Sequence, residues 1–232
     1  MIKKHIPNFI TSLNLFSGCI AVYYGFLGNY QAVFWLILLA AVFDFLDGFA
    51  ARLLKAYSPM GKELDSLADM VSFGLAPGVV AFSMLSQTSL PSWLAFAGFI
   101  IPVFSALRLA KFNIDERQTT SFIGLPTPAN AIFWVGIGYS YYNELVISNS
   151  WSILVLIIVM SGLLVAEIPM FSLKFKSYTW NGNHTKYVFL LQCVIAIASA
   201  KLAAFPIIIV LYIINSLAMP FFKKREEKFN RR

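Results

Sequence analysis

Four aspartates, Asp44, Asp47, Asp65 and Asp69, fall in one short stretch, VFDFLDGFAARLLKAYSPMGKELDSLADMVSFG. The first two are three residues apart and the last two are four apart, so on helices each pair occupies one face. Tyr57-Ser58-Pro59-Met60-Gly61 lies between them, a break that allows an antiparallel hairpin in which the pairs face each other. Carboxylates gathered in this way repel unless a counter-charge joins them, and no run of lysines threads the stretch. Hard divalent cations are the natural partners. All-oxygen donors favour Mg²⁺, Mn²⁺ or Ca²⁺ over zinc, for which His5 and His184 are isolated and the two cysteines lie in apolar runs. Two ions ~3.5–4 Å apart would suit phosphoryl transfer, clamping phosphate oxygens and neutralising developing charge. Gly48 and Ala51, on or beside the Asp44/Asp47 face, leave room for a nucleotide, and Arg52 can fork onto phosphate.

The elements that must position these groups are apolar. Of the 232 residues 59% are hydrophobic and 12% charged, against ~25% charged in a typical soluble domain. A mean hydropathy of +0.72 leaves too little polar surface for a soluble nucleic-acid binder, despite the net charge of +7. Two cysteines do not make a secreted disulfide scaffold. The reading is an all-α, polytopic transmembrane bundle. Eight spans are expected, at about 12–28, 30–51, 66–86, 92–110, 127–147, 151–171, 186–200 and 203–222. No loop is long enough for a soluble domain, so residues 1–232 are read as one membrane domain. It divides into a catalytic core at about 6–171, two additional spans within 186–222 and a basic tail at 223–232.

Aspartate inside a span costs ~2.5–3.5 kcal/mol on insertion scales, which makes such a group functional by default and in need of a partner. The basic residues orient the bundle: 17 of the 18 fall at the N-terminus, in alternate connections and in the tail, with only Lys201 on the opposite side. By the positive-inside rule both termini and the aspartate cluster face the cytoplasm. The segment after Lys3 and Lys4 carries Thr11, Ser12, Asn14 and Ser17 and no small-residue cleavage site, so it reads as a retained first span.

Written out, the cluster is Asp44-x2-Asp47-Gly48-x2-Ala51-Arg52-x8-Gly61-x3-Asp65-x3-Asp69, and it resembles the signature of the CDP-alcohol phosphotransferases at every fixed position. Eight fixed residues at average background would match by chance about once in 10¹⁰ starting points. The resemblance implies attack of an alcohol hydroxyl on the β-phosphate of a CDP-linked lipid, with release of CMP. It implies Asp44, Asp47, Asp65 and Asp69 as metal ligands, with Mg²⁺ or Mn²⁺, two ions, as cofactor, and Asp69 also as general base. Gly48, Ala51 and Arg52 would contact the CDP part, and Gly61 would allow the bend that brings Asp65 and Asp69 into place. A homodimer is implied as well.

Three further segments, IPNFITSLNLFSG, DSLADMVSFGLAPG and RLAKFN followed by FIGLPTPANA, resemble the bacterial and archaeal phosphatidylserine synthase branch of that family. They imply CDP-diacylglycerol and L-serine as substrates, in a cell membrane. Arg108 and Lys111 at a cytoplasmic helix end, with Thr127 at the N-terminus of the fifth span, offer sites for the serine carboxylate or a donor phosphate; the two cations also fit as positive-inside anchors. Thr11 and Asn14 could hydrogen-bond the cytidine diphosphate or a neighbouring helix. Glu167 could pair with a loop lysine or help bind the serine ammonium. Glycerol phosphate or an inositol compound is an alternative acceptor, although a denser basic cluster would be expected for it. Intramembrane aspartates also occur in cation transporters, but these cluster at one face and show no inverted repeat.

Overall fold

The computed structural model describes residues 5–115, 122–143, 149–173, 179 and 183–229, with side chains to 219. Lys3, Lys4, Arg117, Lys174, Lys176, Arg231 and Arg232, which entered the charge reading, lie outside the described residues, as do the side chains of 223–228.

The described residues are helical apart from turns and one two-residue strand pair. Helix α1 (Ile6–Phe26) and helix α2 (Tyr30–Leu53) form a hairpin turned at Gly28, whose φ of +69° a side chain would strain. Asn29 caps α2 by accepting from the Ala32 N–H at 3.1 Å. After α2 the chain reverses through Lys55, which has φ +50°. Helix α3 (Pro59–Asp69) then starts with Ser58 as cap, its Oγ accepting from the Gly61 N–H at 3.0 Å, and with proline in the first turn. A six-residue π-helical stretch, Met70–Leu75, follows Asp69 directly and runs into α4 (Ala76–Ser86). A 3₁₀ segment, Ser92–Phe99, leads into α5 (Ile100–Ile114). Strand β1 (Phe122–Ile123) precedes α6 (Thr127–Tyr142); α7 (Ser150–Val165) is followed by β2 (Pro169–Met170), antiparallel to β1. Helices α8 (His184–Ala200) and α9 (Ala204–Phe229) complete the described chain.

Among the described residues five runs are long and apolar enough to cross a membrane: Ile6–Phe26, Tyr30–Leu53, Pro59–Ser86, Ser92–Ile114 and His184–Met219. Large apolar side chains cover the outside, with Phe16 64% and Val194 63% exposed, while the interior holds Phe34, Phe73, Trp134 and Ile157. A surface of that kind is stable only against lipid. The fold is that of an all-helical integral membrane protein.

Several expected boundaries move. The third apolar run begins at Pro59 instead of residue 66, because the helix break closes at Ser58, leaving Met60 and Gly61 inside α3. Helix α7 stops at Val165 instead of 171: the residue before Pro169 is steered out of the helical region, and 169–170 pair with β1. The Gly124 N–H donates to the Ile168 carbonyl at 2.9 Å, tying the two loops together. Helices α6 and α7, at 16 residues each, are shorter than the ~20 of a full crossing. The last two expected spans form one apolar run that folds back at Lys201, where φ is +50°. The Phe189 and Tyr212 rings meet at 6.0 Å and Asn215 donates to Gln192 at 2.7 Å, so α8 and α9 pack as a hairpin.

Candidate active site

Asp44 and Asp47 project from the C-terminal half of α2, and Asp65 from α3, whose approach to α2 is set by the Lys55 to Ser58 reversal. One carboxylate oxygen from each of the three lies within 4.8 Å of the others. Asp69, one turn further along α3, is buried and lies outside this group of three, although it interacts electrostatically with Asp44 and Asp65. The two helix faces foreseen from the spacing do meet, as three clustered carboxylates with the fourth behind them.

Helix α1 holds two of them in place. Thr11 Oγ1 lies 2.6 Å from Asp47 Oδ2, and Asn14 Nδ2 donates to Asp69 Oδ1 at 3.3 Å. Both α1 side chains are buried. Both reach a neighbouring helix, and the acceptor in each case is a carboxylate of the cluster, while Thr11 also lines the cavity beside it. Ser72, in the π-helical stretch, donates to the Asn14 carbonyl at 3.0 Å. Its close approach requires Gly18, where a Cβ would stand 2.3 Å from Ser72 Oγ and 2.8 Å from Ser72 Cα. Gly61 plays a similar part: a Cβ there would meet Asn8 Oδ1 at 3.0 Å. Its lack of a side chain thus serves packing on α1, while the bend assigned to it lies upstream at Lys55 to Ser58.

A cavity of about 540 Å³ opens beside the cluster, lined by Thr11, Asp47, Gly48, Ala51, Gly61 and Asp65 among others. Nothing lies within 4 Å of a Cβ built on Gly48, so this wall is open to an incoming group. Arg52 is exposed in the last turn of α2 and is not part of the lining.

The donor set fits a hard cation: it is all carboxylate oxygen, and Asp65 Oδ1 is buried with no hydrogen-bond partner among the described residues. An ion there would supply the missing partner and offset the repulsion among the three acids.

On α5, Arg108 is buried, its Nη1 donating to Thr127 Oγ1 at 3.3 Å and its guanidinium lying 4.8 Å from the Phe112 ring centre. Helix α5 lies along the Asp69 segment on both sides of Arg108: a Cβ on Gly74 would meet Ser105 Cβ at 3.1 Å, and Asn113 bonds Ser66 at 2.8 Å. Lys111 does not join Arg108. It forms an ion pair with Glu167 at 3.2 Å, on the exposed side of the helix. That contact realises the lysine-pairing reading of Glu167. Asn113, unnoticed in the sequence, donates to Ser66 Oγ at 2.8 Å while its carbonyl accepts from Lys62 Nζ at 3.1 Å, and so ties α5 to α3. Polar residues near the end of an apolar span were the only available signal.

Fold and site together define an all-helical integral membrane protein with three clustered carboxylates that could hold a metal ion. The CDP-alcohol phosphatidyltransferase family model matches residues 4–166, and the chain belongs to that family. The chain is similar to the CDP-diacylglycerol–serine O-phosphatidyltransferase of Mycobacterium leprae, 31% identical over 230 residues, covering 93% of this chain and 73% of the relative. The protein of the same name from Bacillus subtilis is 37% identical over 138 residues, 60% of this chain and 77% of the relative. The one from Saccharomyces cerevisiae is 37% identical over 168 residues, 64% of this chain and 59% of the relative.

Proposed function

We propose that the chain is a CDP-diacylglycerol:serine O-phosphatidyltransferase, which makes phosphatidylserine and CMP. The observation that carries this reading is the meeting of Asp44, Asp47 and Asp65 within 4.8 Å on the edge of a cavity walled by Gly48 and Ala51. The similarity to relatives bearing that name over 93% of the chain supports serine as the acceptor.

Asp44, Asp47, Asp65 and Asp69 hold Mg²⁺ or Mn²⁺, two ions in the full site. When bound, these ions neutralise charge on the diphosphate and orient it. Gly48 and Ala51 let the cytidine diphosphate lie against α2, and Arg52 at the helix end meets its phosphates. Thr11 and Asn14 act through the carboxylates they hold. Asp69 accepts the proton of the serine hydroxyl as that oxygen bonds to the β-phosphorus. The bond from this phosphorus to the bridging oxygen breaks, and CMP leaves with the bridging oxygen. Arg108, placed by Thr127, receives the serine carboxylate; Lys111, engaged with Glu167, serves as an anchor at the helix end.

All eight helical segments read from the sequence lie in the bilayer with both termini cytoplasmic, residues 1–232 form one membrane domain, and a second copy of the chain is the partner. Cross-linking in native membranes that yields only single chains would remove that partner. The activity is tested by incubating membranes with CDP-diacylglycerol, with and without L-serine, and measuring CMP. Serine-dependent CMP that disappears with EDTA and returns with Mg²⁺ or Mn²⁺ is expected. CMP release indifferent to serine overturns the acceptor, and release indifferent to EDTA overturns the metal.

A further inference from the structure

Asn130 sits one turn into α6, three residues after Thr127 and therefore on the same face. Its side chain is fully buried, and neither Oδ1 nor Nδ2 has a hydrogen-bond partner among the described residues. Arg108 Nε is in the same position, although Arg108 Nη1 is held by Thr127 Oγ1 at 3.3 Å. A buried amide with both ends unsatisfied is costly, and a protein keeps one where another group satisfies it. Thr127, one turn before Asn130, bonds the buried Arg108 guanidinium, so this face of α6 is turned toward α5.

We propose that Asn130 is a specificity-determining residue for the acceptor alcohol, its Oδ1 accepting a hydrogen bond from the ammonium of serine while Arg108 holds the carboxylate. This deepens the serine-transferase reading and rests on it. Serine carries ammonium and carboxylate on one carbon, with the hydroxyl one carbon away. Its three recognition points must therefore converge within a single side chain's reach. The Thr127/Asn130 face of α6 meets Arg108 through the Arg108 to Thr127 bond, and α5 packs on the Asp69 segment on both sides of Arg108, at Ser105 with Gly74 and at Asn113 with Ser66. Other acceptors for the ammonium are committed elsewhere. Asp44, Asp47 and Asp65 form the cation cluster, and Glu167 pairs with Lys111 on the exposed side. A site built to hydrogen-bond a polar group rejects analogues lacking it far more strongly than a pocket that only fits their shape.

The test compares L-serine with 3-hydroxypropionate, which is serine without its amino group, in wild type, Asn130→Leu and Asn130→Asp, all as full-length protein in membranes. The wild type is expected to favour serine. Asn130→Leu keeps the branched four-atom outline of the side chain and removes both polar ends. It should raise KM for serine at least about tenfold, with KM for CDP-diacylglycerol unchanged and little change toward 3-hydroxypropionate. The preference between the acceptors then collapses. Asn130→Asp retains an acceptor oxygen and should keep that preference. A buried amide serving only to hold a water or brace α6 would lower thermal stability without altering the ratio between acceptors. An unchanged ratio in Asn130→Leu therefore overturns the proposal. If Asn130→Leu no longer binds CDP-diacylglycerol, Asn130→Asp decides: a preserved preference supports the assignment and a lost one overturns it. A wild type with no serine-dependent CMP release instead breaks the acceptor reading itself, before any variant is compared.

Discussion

The proposed chemistry rests on a few polar side chains, some held by contacts from other helices and some, such as Asp65 Oδ1, without a hydrogen-bond partner among the described residues. Asp69 differs from the other three aspartates in its Asn14 contact at 3.3 Å, and it lies outside the cluster of three. That separation suits a proton acceptor more than a fourth equal ligand, since a base needs a lone pair directed at the incoming hydroxyl. Asp69→Asn keeps the shape and the Asn14 neighbour but cannot take the proton. It is expected to bind CDP-diacylglycerol as wild type does and to lose about 10²–10⁴-fold in turnover. Single-turnover CMP release together with donor binding checks this, and near wild-type turnover would withdraw the base assignment. The aspartates and small residues were legible from spacing alone. The partners of Thr11 and Asn14 were not, because a hydroxyl and an amide on α1 meet acids 36 and 55 residues away, and only packing selects which. The partner of Lys111 was hidden for the same reason: Glu167 is 56 residues distant, and no local pattern announces the pair.

At the scale of elements, the important departure is the π-helical stretch Met70–Leu75 immediately after Asp69. Extra residues per turn shift the faces of a helix, and such stretches recur at functional sites. Here the shift lets Asp65 and Asp69 face α2 and α1 while Ser72, Phe73 and Gly74 are buried in the bundle. Helix α1 seats on this stretch through Gly18, and a Cβ there would press on Ser72 backbone at 2.8 Å. Gly18→Ala should cost about 1–3 kcal/mol of stability through overpacking and, by displacing Asn14 from Asp69, lower turnover by about 10²-fold. Thermal unfolding in detergent and CMP release give the two readouts. A variant with unaltered melting and activity would show that α1 does not fix the site. The sequence contained Gly18 and Ser72 in plain view, but a π-helical turn has no hydropathy period that distinguishes it from the α-helix expected there.

Over the whole molecule, apolar surface and charge distribution govern placement. Gly136 and Gly138, small residues of the kind that mark contacts between copies, are used inside the chain: a Cβ on Gly136 would lie 2.7 Å from Pro206, and one on Gly138 2.7 Å from Val80. Helix α6 is thereby held between α4 and the α8–α9 hairpin, which lies beyond the residues matched by the family model. The proposed topology puts the Lys201 turn of that hairpin on the face opposite the aspartates. With Cys19 and Cys193 replaced, a Lys201→Cys protein in intact cells is expected to react with a membrane-impermeant maleimide. Labelling only after the cells are opened would reverse the orientation or remove the last pair of crossings.

Composition and spacing by themselves determined that the chain lives in a membrane, that it is helical, and that four acids converge where α2 and α3 meet. Those properties follow from local periodicity and from the cost of charge in lipid, both written in neighbouring residues. The tertiary structure decided which three acids group together, which α1 side chains hold the acids, that α7 ends early at a strand pair, that Lys111 turns away to Glu167, and that Asn130 is fully buried. Each depends on contacts between residues far apart in the chain, where close packing in three dimensions selects one partner among several that are chemically equivalent in one.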